Sequence, residues 1–203
     1  GDVALKKHTV ILWMKVVVAC VPAAVMGLLF DDWMEAHLMN AYVVAAALIL
    51  YGILFIVVEN INYGKRPAIE RVGDITYKTA LIIGLFQVLS LVPGTSRSGS
   101  TILGAMIIGC SRPAAAEFSF FLGIPVMFGA SLLKIVKFGF HFTGAEIFIL
   151  LFGMVVAFIV SVFSIKFLMS YIRKNDFKLF GIYRIVLGVI VVIFFAVRTI
   201  MGL

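Results

Sequence analysis

Charge is what this chain has least of. Only 13% of its 203 residues are Asp, Glu, Lys or Arg, while 63% are hydrophobic and the mean hydropathy is +1.16. Soluble domains carry about a quarter charged residues, so this composition excludes one and calls for a lipid surround. Cysteine is scarce as well. Cys20 and Cys110 both sit in apolar sequence and read as buried free thiols, not as a disulfide framework. The three histidines, His8, His37 and His141, fall in predicted loops with no metal-ligand spacing. No P-loop, dinucleotide fingerprint or Gly-x-Ser-x-Gly elbow occurs. The longest polar linker, Asn60 to Lys78, is too short to bury a core of its own.

What the chain does have is long apolar runs: Val10 to Phe30 with Lys15 near its start, Ala41 to Val58, Phe118 to Leu133, Ile147 to Ile165 and Ile185 to Val197. A helix needs roughly 20 apolar residues to cross the hydrocarbon layer. The shorter runs reach that length if flanking residues snorkel or if Glu117 and Arg184 lie inside the membrane. The expectation is an all-α integral membrane protein forming one transmembrane domain over residues 1–203, with about five spanning helices.

Two further apolar stretches are too short to cross. Thr79 to Val92 would cover about 21 Å as a helix before Pro93-Gly94 stops it, and Thr101 to Cys110 is shorter still. Half-length helices meeting at a Gly-rich polar turn read as a re-entrant hairpin over about 79–110. Such irregular backbone is tolerated only where protein buries it or where it lines a watery cavity. The net charge of +7 reports topology, not nucleic acid, because the basic residues collect at helix ends without a stripe of interleaved aromatics. Lys6-Lys7, the cluster Lys65, Arg66, Arg71 and Lys78, and the cluster Arg173, Lys174 and Lys178 mark cytoplasmic loops, with Asp31 to Glu35 outside.

Arg97 is the anomaly in the hairpin. It stands in Pro93-Gly94-Thr95-Ser96-Arg97-Ser98-Gly99, and an arginine at bilayer depth is costly unless it is paired or faces water. For a phosphate site each part has a role. Arg97 can grip two oxygens, Ser96 and Ser98 can donate hydrogen bonds, and Gly94 and Gly99 let the backbone come close. Thr101 would cap the next half-helix, whose positive end points at the anion. The plain alternative is a helix-breaking loop with Arg97 reaching to an interface. Gln87 and Ser90, one turn apart, either line a polar wall of the site or glue helices together. Arg112 and Glu117 are five apart and fall on different faces, so Glu117 is expected to find its partner on another helix or to rest as a helix-terminal carboxylate. Ser119 reads as bonding back within its own helix, and Arg184 as an anchor at the interface.

These residues closely resemble the second half of the bacterial undecaprenyl-diphosphatase family, also called the bacitracin-resistance proteins. The resemblance rests on the 93–99 motif with Thr101, on Ser111-Arg112, Ala115, Glu117-Phe118-Ser119-Phe120 and Pro125, and on Tyr183-Arg184 and Leu187-Gly188. It covers essentially the whole chain. It implies removal of the terminal phosphate of undecaprenyl diphosphate, a divalent cation (magnesium or calcium), a multi-pass location in the bacterial plasma membrane, and an architecture of two inverted repeats. In that family the first repeat carries a Glu-rich, Ser-Ser and His motif. No Glu-x-x-x-Glu occurs here, so this chain resembles the C-terminal portion only.

By this resemblance Arg97 serves catalysis, with Ser96 as the alternative to a nucleophile supplied by the first repeat. Gly94, Ser98, Gly99, Thr101 and Gln87 would bind substrate, Glu117 and Arg112 would stand behind them, and no metal ligand is expected in this chain. A polyprenyl-lipid transporter is the rival reading, because broken helices meeting in mid-membrane are also a transporter plan. Without the first repeat the polar turn would lie uncovered. The 203 residues alone are therefore expected to insert but to be inactive, and either to be poorly stable in detergent or to form a homodimer.

Overall fold

The computed structural model describes residues 2–139 and 142–201. Seven helices follow one another: α1 (Asp2–Leu38), α2 (Ala41–Asn62), α3 (Tyr77–Val88), α4 (Arg97–Ile108), α5 (Arg112–Phe138), α6 (Gly144–Ile172) and α7 (Lys178–Ile200), with short 3-10 turns at Val72–Asp74 and Leu89–Leu91. Polar side chains start five of them. Asn40, Thr76, Ser96, Ser111 and Thr143 each accept a hydrogen bond from the first turn of the helix they cap, and Thr143 forms a full capping box with Glu146.

Five helices, α1, α2, α5, α6 and α7, are long and apolar enough to cross a membrane, and Glu117 and Arg184 do lie within two of them. α3 and α4 have 12 residues each and are too short to cross. Two expectations need correction. α1 does not stop at Phe30: it runs through Asp31 to Glu35, so the stretch expected as an outside loop is helical, and so are His8 and His37. Local bonds explain the extension, since His37 Nδ1 lies 2.9 Å from the Trp33 carbonyl and the two rings stack at 4.9 Å. His141 lies outside the described residues.

Packing is set by small residues, as expected where lipid removes the usual hydrophobic drive between helices. α2 and α7 meet through Gly52 and Gly181, where a Cβ on either would come within 2.6 or 2.7 Å of the other's carbonyl oxygen. Gly188 repeats the contact two turns on, against Ala45 and Ile49. α3 closes on α1 at Gly84, whose place for a Cβ is 2.3 Å from the Ala19 carbonyl. α6 stands apart, with none of its spanning window buried. One of the two shortest α-helices holds the centre: every residue from Gly99 to Met106 of α4 is buried, against α2, α3 and α5.

Candidate functional site: a two-arginine turn

The chain leaves α3 through the Leu89–Leu91 turn and reverses between Val92 and Ser96 before α4 begins. Gly94 sits at φ +88°, and a Cβ there would meet the Val44 carbonyl of α2 at 2.5 Å, so both its backbone angle and its space require glycine. Ser96 is at φ +69° and is the one positive-φ residue other than glycine among the described residues. Such a conformation costs on the order of 1–3 kcal/mol and persists only when its surroundings impose it.

Ser96, not Thr101, caps α4. Its hydroxyl accepts from the Gly99 amide at 3.3 Å and lies 3.4 Å from the Ser98 hydroxyl, so α4 starts four residues earlier than the sequence suggested. Thr101 instead ties α4 to α5. Its hydroxyl lies 3.0 Å from the Arg97 carbonyl and 3.2 Å from the Ser98 carbonyl in its own helix, and 2.7 Å from the Ser119 hydroxyl of α5, a bond that either hydroxyl can donate. Ser119 therefore bonds across helices, contrary to the expectation that it bonds back within its own.

Two guanidinium groups flank the turn. Arg97, half-buried, turns toward α5, where it donates to the Ser119 carbonyl at 3.2 Å. It fits only because position 123 is glycine, since a Cβ there would lie 2.5 Å from its Nη2. Arg184 of α7 comes from the other side. Its Nη2 donates to the Gly94 and Thr95 carbonyls at 2.7 Å each, and the group lies 5.8 Å from the centre of the Tyr51 ring, whose hydroxyl accepts from Ser100 at 3.2 Å. Arg184 is thus no interface anchor. It was missed because helix-end arginines usually reach for headgroups, and only the close α2–α7 glycine contact brings it inward. Neither arginine forms an ion pair among the described residues. Two cations flank the N-terminus of α4 and the exposed Ser96 hydroxyl from opposite sides, and neither is paired with a carboxylate among the described residues, which is an arrangement for an anion.

Gln87 is 1% exposed, and neither its amide oxygen nor its nitrogen has a partner. Ser90 donates to the Gln87 carbonyl at 2.6 Å, which takes up its hydroxyl. Glu117 does not find the expected partner: it is half-buried and makes no hydrogen bond or ion pair among the described residues. Arg112 lies beyond the far end of α4, about 16 Å of helix from Arg97. Its Nε donates to both oxygens of Glu59 at 2.9 and 3.0 Å, and the Phe177 amide donates to the same carboxylate at 2.8 Å. Glu59, overlooked at the end of an apolar run, thereby fastens α2 to the starts of α5 and α7.

The described residues do not fit a divalent cation. No three His, Cys, Asp or Glu side chains among them converge as ligands, and the turn itself presents positive charge. Ser96 likewise lacks a base. The only hydrogen-bond partners of its hydroxyl among the described residues are the Gly99 amide and the Ser98 hydroxyl.

Residues 2–190 match the family described as "Bacitracin resistance protein BacA". The chain is 61% identical over 201 residues to the undecaprenyl-diphosphatase of Desulfitobacterium hafniense, covering 98% of this chain and 72% of that protein. It is 62% identical over 193 residues to one from Enterococcus faecalis, covering 95% and 70%, and 61% identical over 197 residues to one from Acetivibrio thermocellus, covering 97% and 72%. The family match takes in the turn, both flanking arginines, α1 to α6 and the first half of α7, and the chain belongs to the bacitracin resistance protein family.

Proposed function

We propose that this chain binds the diphosphate of undecaprenyl diphosphate at the 93–99 turn and serves its dephosphorylation to the monophosphate carrier lipid, in the bacterial inner membrane. The observation that carries the reading is that Arg97 and Arg184 flank a helix N-terminus and neither forms an ion pair among the described residues. Cleavage of a diphosphate gathers negative charge on the departing lipid phosphate and on the transferred group, and donors fixed in advance stabilise it. Arg184 spends Nη2 on the turn's carbonyls and so holds the cradle. Arg97, with one hydrogen bond to Ser119 and further N–H groups free, grips the phosphate.

Ser96, Ser98, Gly99 and the first amides of α4 complete the cradle, and Gln87 supplies a buried amide whose own partners are missing. In this reading the hairpin formed by α3 and α4 is re-entrant, which puts the turn inside the membrane but in contact with water. A magnesium or calcium ion belongs to the reaction by family likeness; the described residues offer it no ligand set, so no step is assigned to it here. With no base beside Ser96, the nucleophile is placed outside these residues. A homodimer is part of the proposal for the isolated chain, as a means of covering the turn.

The test compares the wild type with Arg97→Ala and Arg97→Lys, beside a full-length relative. Binding of undecaprenyl diphosphate and release of phosphate are measured with magnesium or calcium. Alanine is expected to abolish binding and lysine to restore it in part, since an ammonium lacks the two-pronged fork. An alanine variant, shown to be folded and inserted, that bound the diphosphate as the wild type does would overturn the reading. Translocation of the lipid across vesicles without phosphate release would favour transport instead.

A further inference from the structure

At the opposite end of α4 from Arg97 lies a cavity of about 310 Å³, near the lower bound of small-ligand sites at about 300 Å³. Lys65, Arg66, Arg112 and Arg173 line it, no acidic side chain does, and Met106 and Ile172 give it an apolar floor. Its wall is built, not loose. The Ala68 and Ile69 amides donate to the Gly109 carbonyl at 2.9 and 3.1 Å, and the Ser111 amide returns to the Ile69 carbonyl at 2.8 Å, so the loop segment that follows Lys65 and Arg66 is bound to the end of α4.

The charge there is uncompensated. Lys65, Arg66 and Arg173 are exposed and form no ion pair among the described residues. Arg112 is held by Glu59 through Nε and Nη2, which leaves Nη1 without a protein acceptor, and the Glu59 carboxylate is wholly covered and lies outside the cavity's lining. Asp176 is paired with Lys178 at 4.0 Å and attracts Arg112 through space, but it lies outside the cavity's lining and forms no ion pair with Lys65, Arg66 or Arg173. The N-terminus of α5, at Ser111 to Pro113, adds its dipole to the same space.

We infer that this cavity binds a phosphate-bearing anion, separate from the diphosphate site, and that an anionic phospholipid headgroup supplies it. Three considerations favour the lipid. The cavity stands at the basic end of the bundle, where the positive-inside pattern places the cytoplasmic leaflet. Ile172 and Arg173 end α6, a helix with none of its spanning window buried, so acyl chains lie directly below the cavity. A single carboxylate would leave most of the positive charge unanswered, whereas a phosphate meets Arg112 Nη1 and the rim cations together.

The experiment is native mass spectrometry of the chain from micelles doped with phosphatidylglycerol or phosphatidylcholine. The wild type is compared with a Lys65→Gln/Arg66→Gln/Arg173→Gln variant and with a Lys78→Gln/Lys174→Gln control, whose side chains are exposed at the same end but outside the cavity. The wild type is expected to retain phosphatidylglycerol over phosphatidylcholine. The cavity variant should lose that retention by about tenfold or more, and the control should keep it. A second arm adds millimolar inorganic phosphate: no displacement assigns the site to the lipid, and displacement assigns the same site to soluble phosphate. Equal loss in both variants, or no preference between the two lipids, would reduce the cluster to diffuse surface attraction and overturn the inference. Helicity by circular dichroism accompanies each variant. If the triple variant loses it, Arg66→Gln, an exposed side chain with no hydrogen bond among the described residues, carries the same comparison.

Discussion

Gly123→Ala separates what holds this protein together from what its turn does. In a helix interior Gly costs about 1 kcal/mol relative to Ala, so on propensity alone the substitution strengthens α5. The new methyl, however, would stand 2.5 Å from Arg97 Nη2, 3.1 Å from Cζ and 3.2 Å from Nη1. Non-bonded carbon contacts settle near 3.5 Å or beyond, so the guanidinium must retreat by about 1 Å, stretching its 3.2 Å bond to the Ser119 carbonyl. A displacement of that size at a reacting group costs about 100-fold in rate, or about 2.7 kcal/mol. Gly129→Ala in the same helix is the control, because nothing lies within 4 Å of its added Cβ. Thermal stability and farnesyl diphosphate binding should be read for both in this chain, and phosphate release for both with the substitutions placed in a full-length relative that supplies the nucleophile. Gly129→Ala is expected to hold or gain stability with binding and turnover intact, whereas Gly123→Ala should stay folded yet lose about 100-fold in turnover and bind the diphosphate more weakly. Unchanged binding and turnover in Gly123→Ala would refute the assignment of Arg97 as the phosphate grip.

Arg184→Ala removes two charge-assisted bonds to the Gly94 and Thr95 carbonyls, each contributing about 1.5–3 kcal/mol, which exceeds what keeps Ser96 at positive φ; diphosphate binding should fall by about tenfold or more, with partial rescue by lysine, as isothermal titration would show. Glu59→Ala frees the Phe177 amide and leaves Arg112 without its partner. Because the Arg112 side chain is 36% exposed and can turn to water, the cost should sit near the lower end for a broken buried pair, about 3 kcal/mol, visible as a lowered thermal midpoint in detergent. Gly84→Ala places a Cβ 2.3 Å from the Ala19 carbonyl, backbone that cannot give way, so α1 and α3 should part and the protein should aggregate on size-exclusion chromatography; a monodisperse, stable variant would contradict the close α1–α3 packing.

Lipid immersion, five crossing helices and two half-helices follow from residue types alone, because apolar length and helix breakers are local properties. Even Glu117 and Arg184 could be placed inside spans by length. The 93–99 turn was legible for the same reason: Pro-Gly and a serine-flanked arginine announce themselves without a fold. What α4 does was not legible, since nothing in its 12 residues says that so short a helix is the buried centre. Partners were not legible either. Arg184 lies 90 residues from Gly94, Glu59 lies 53 from Arg112, and Ser119 lies 18 from Thr101, so each pairing depends on how close glycines let the helices come. The cap at Ser96 was decided the same way: a serine takes up φ +69° only when tertiary contacts, here Arg184 on the preceding carbonyls and Val44 against Gly94, leave the chain no other path.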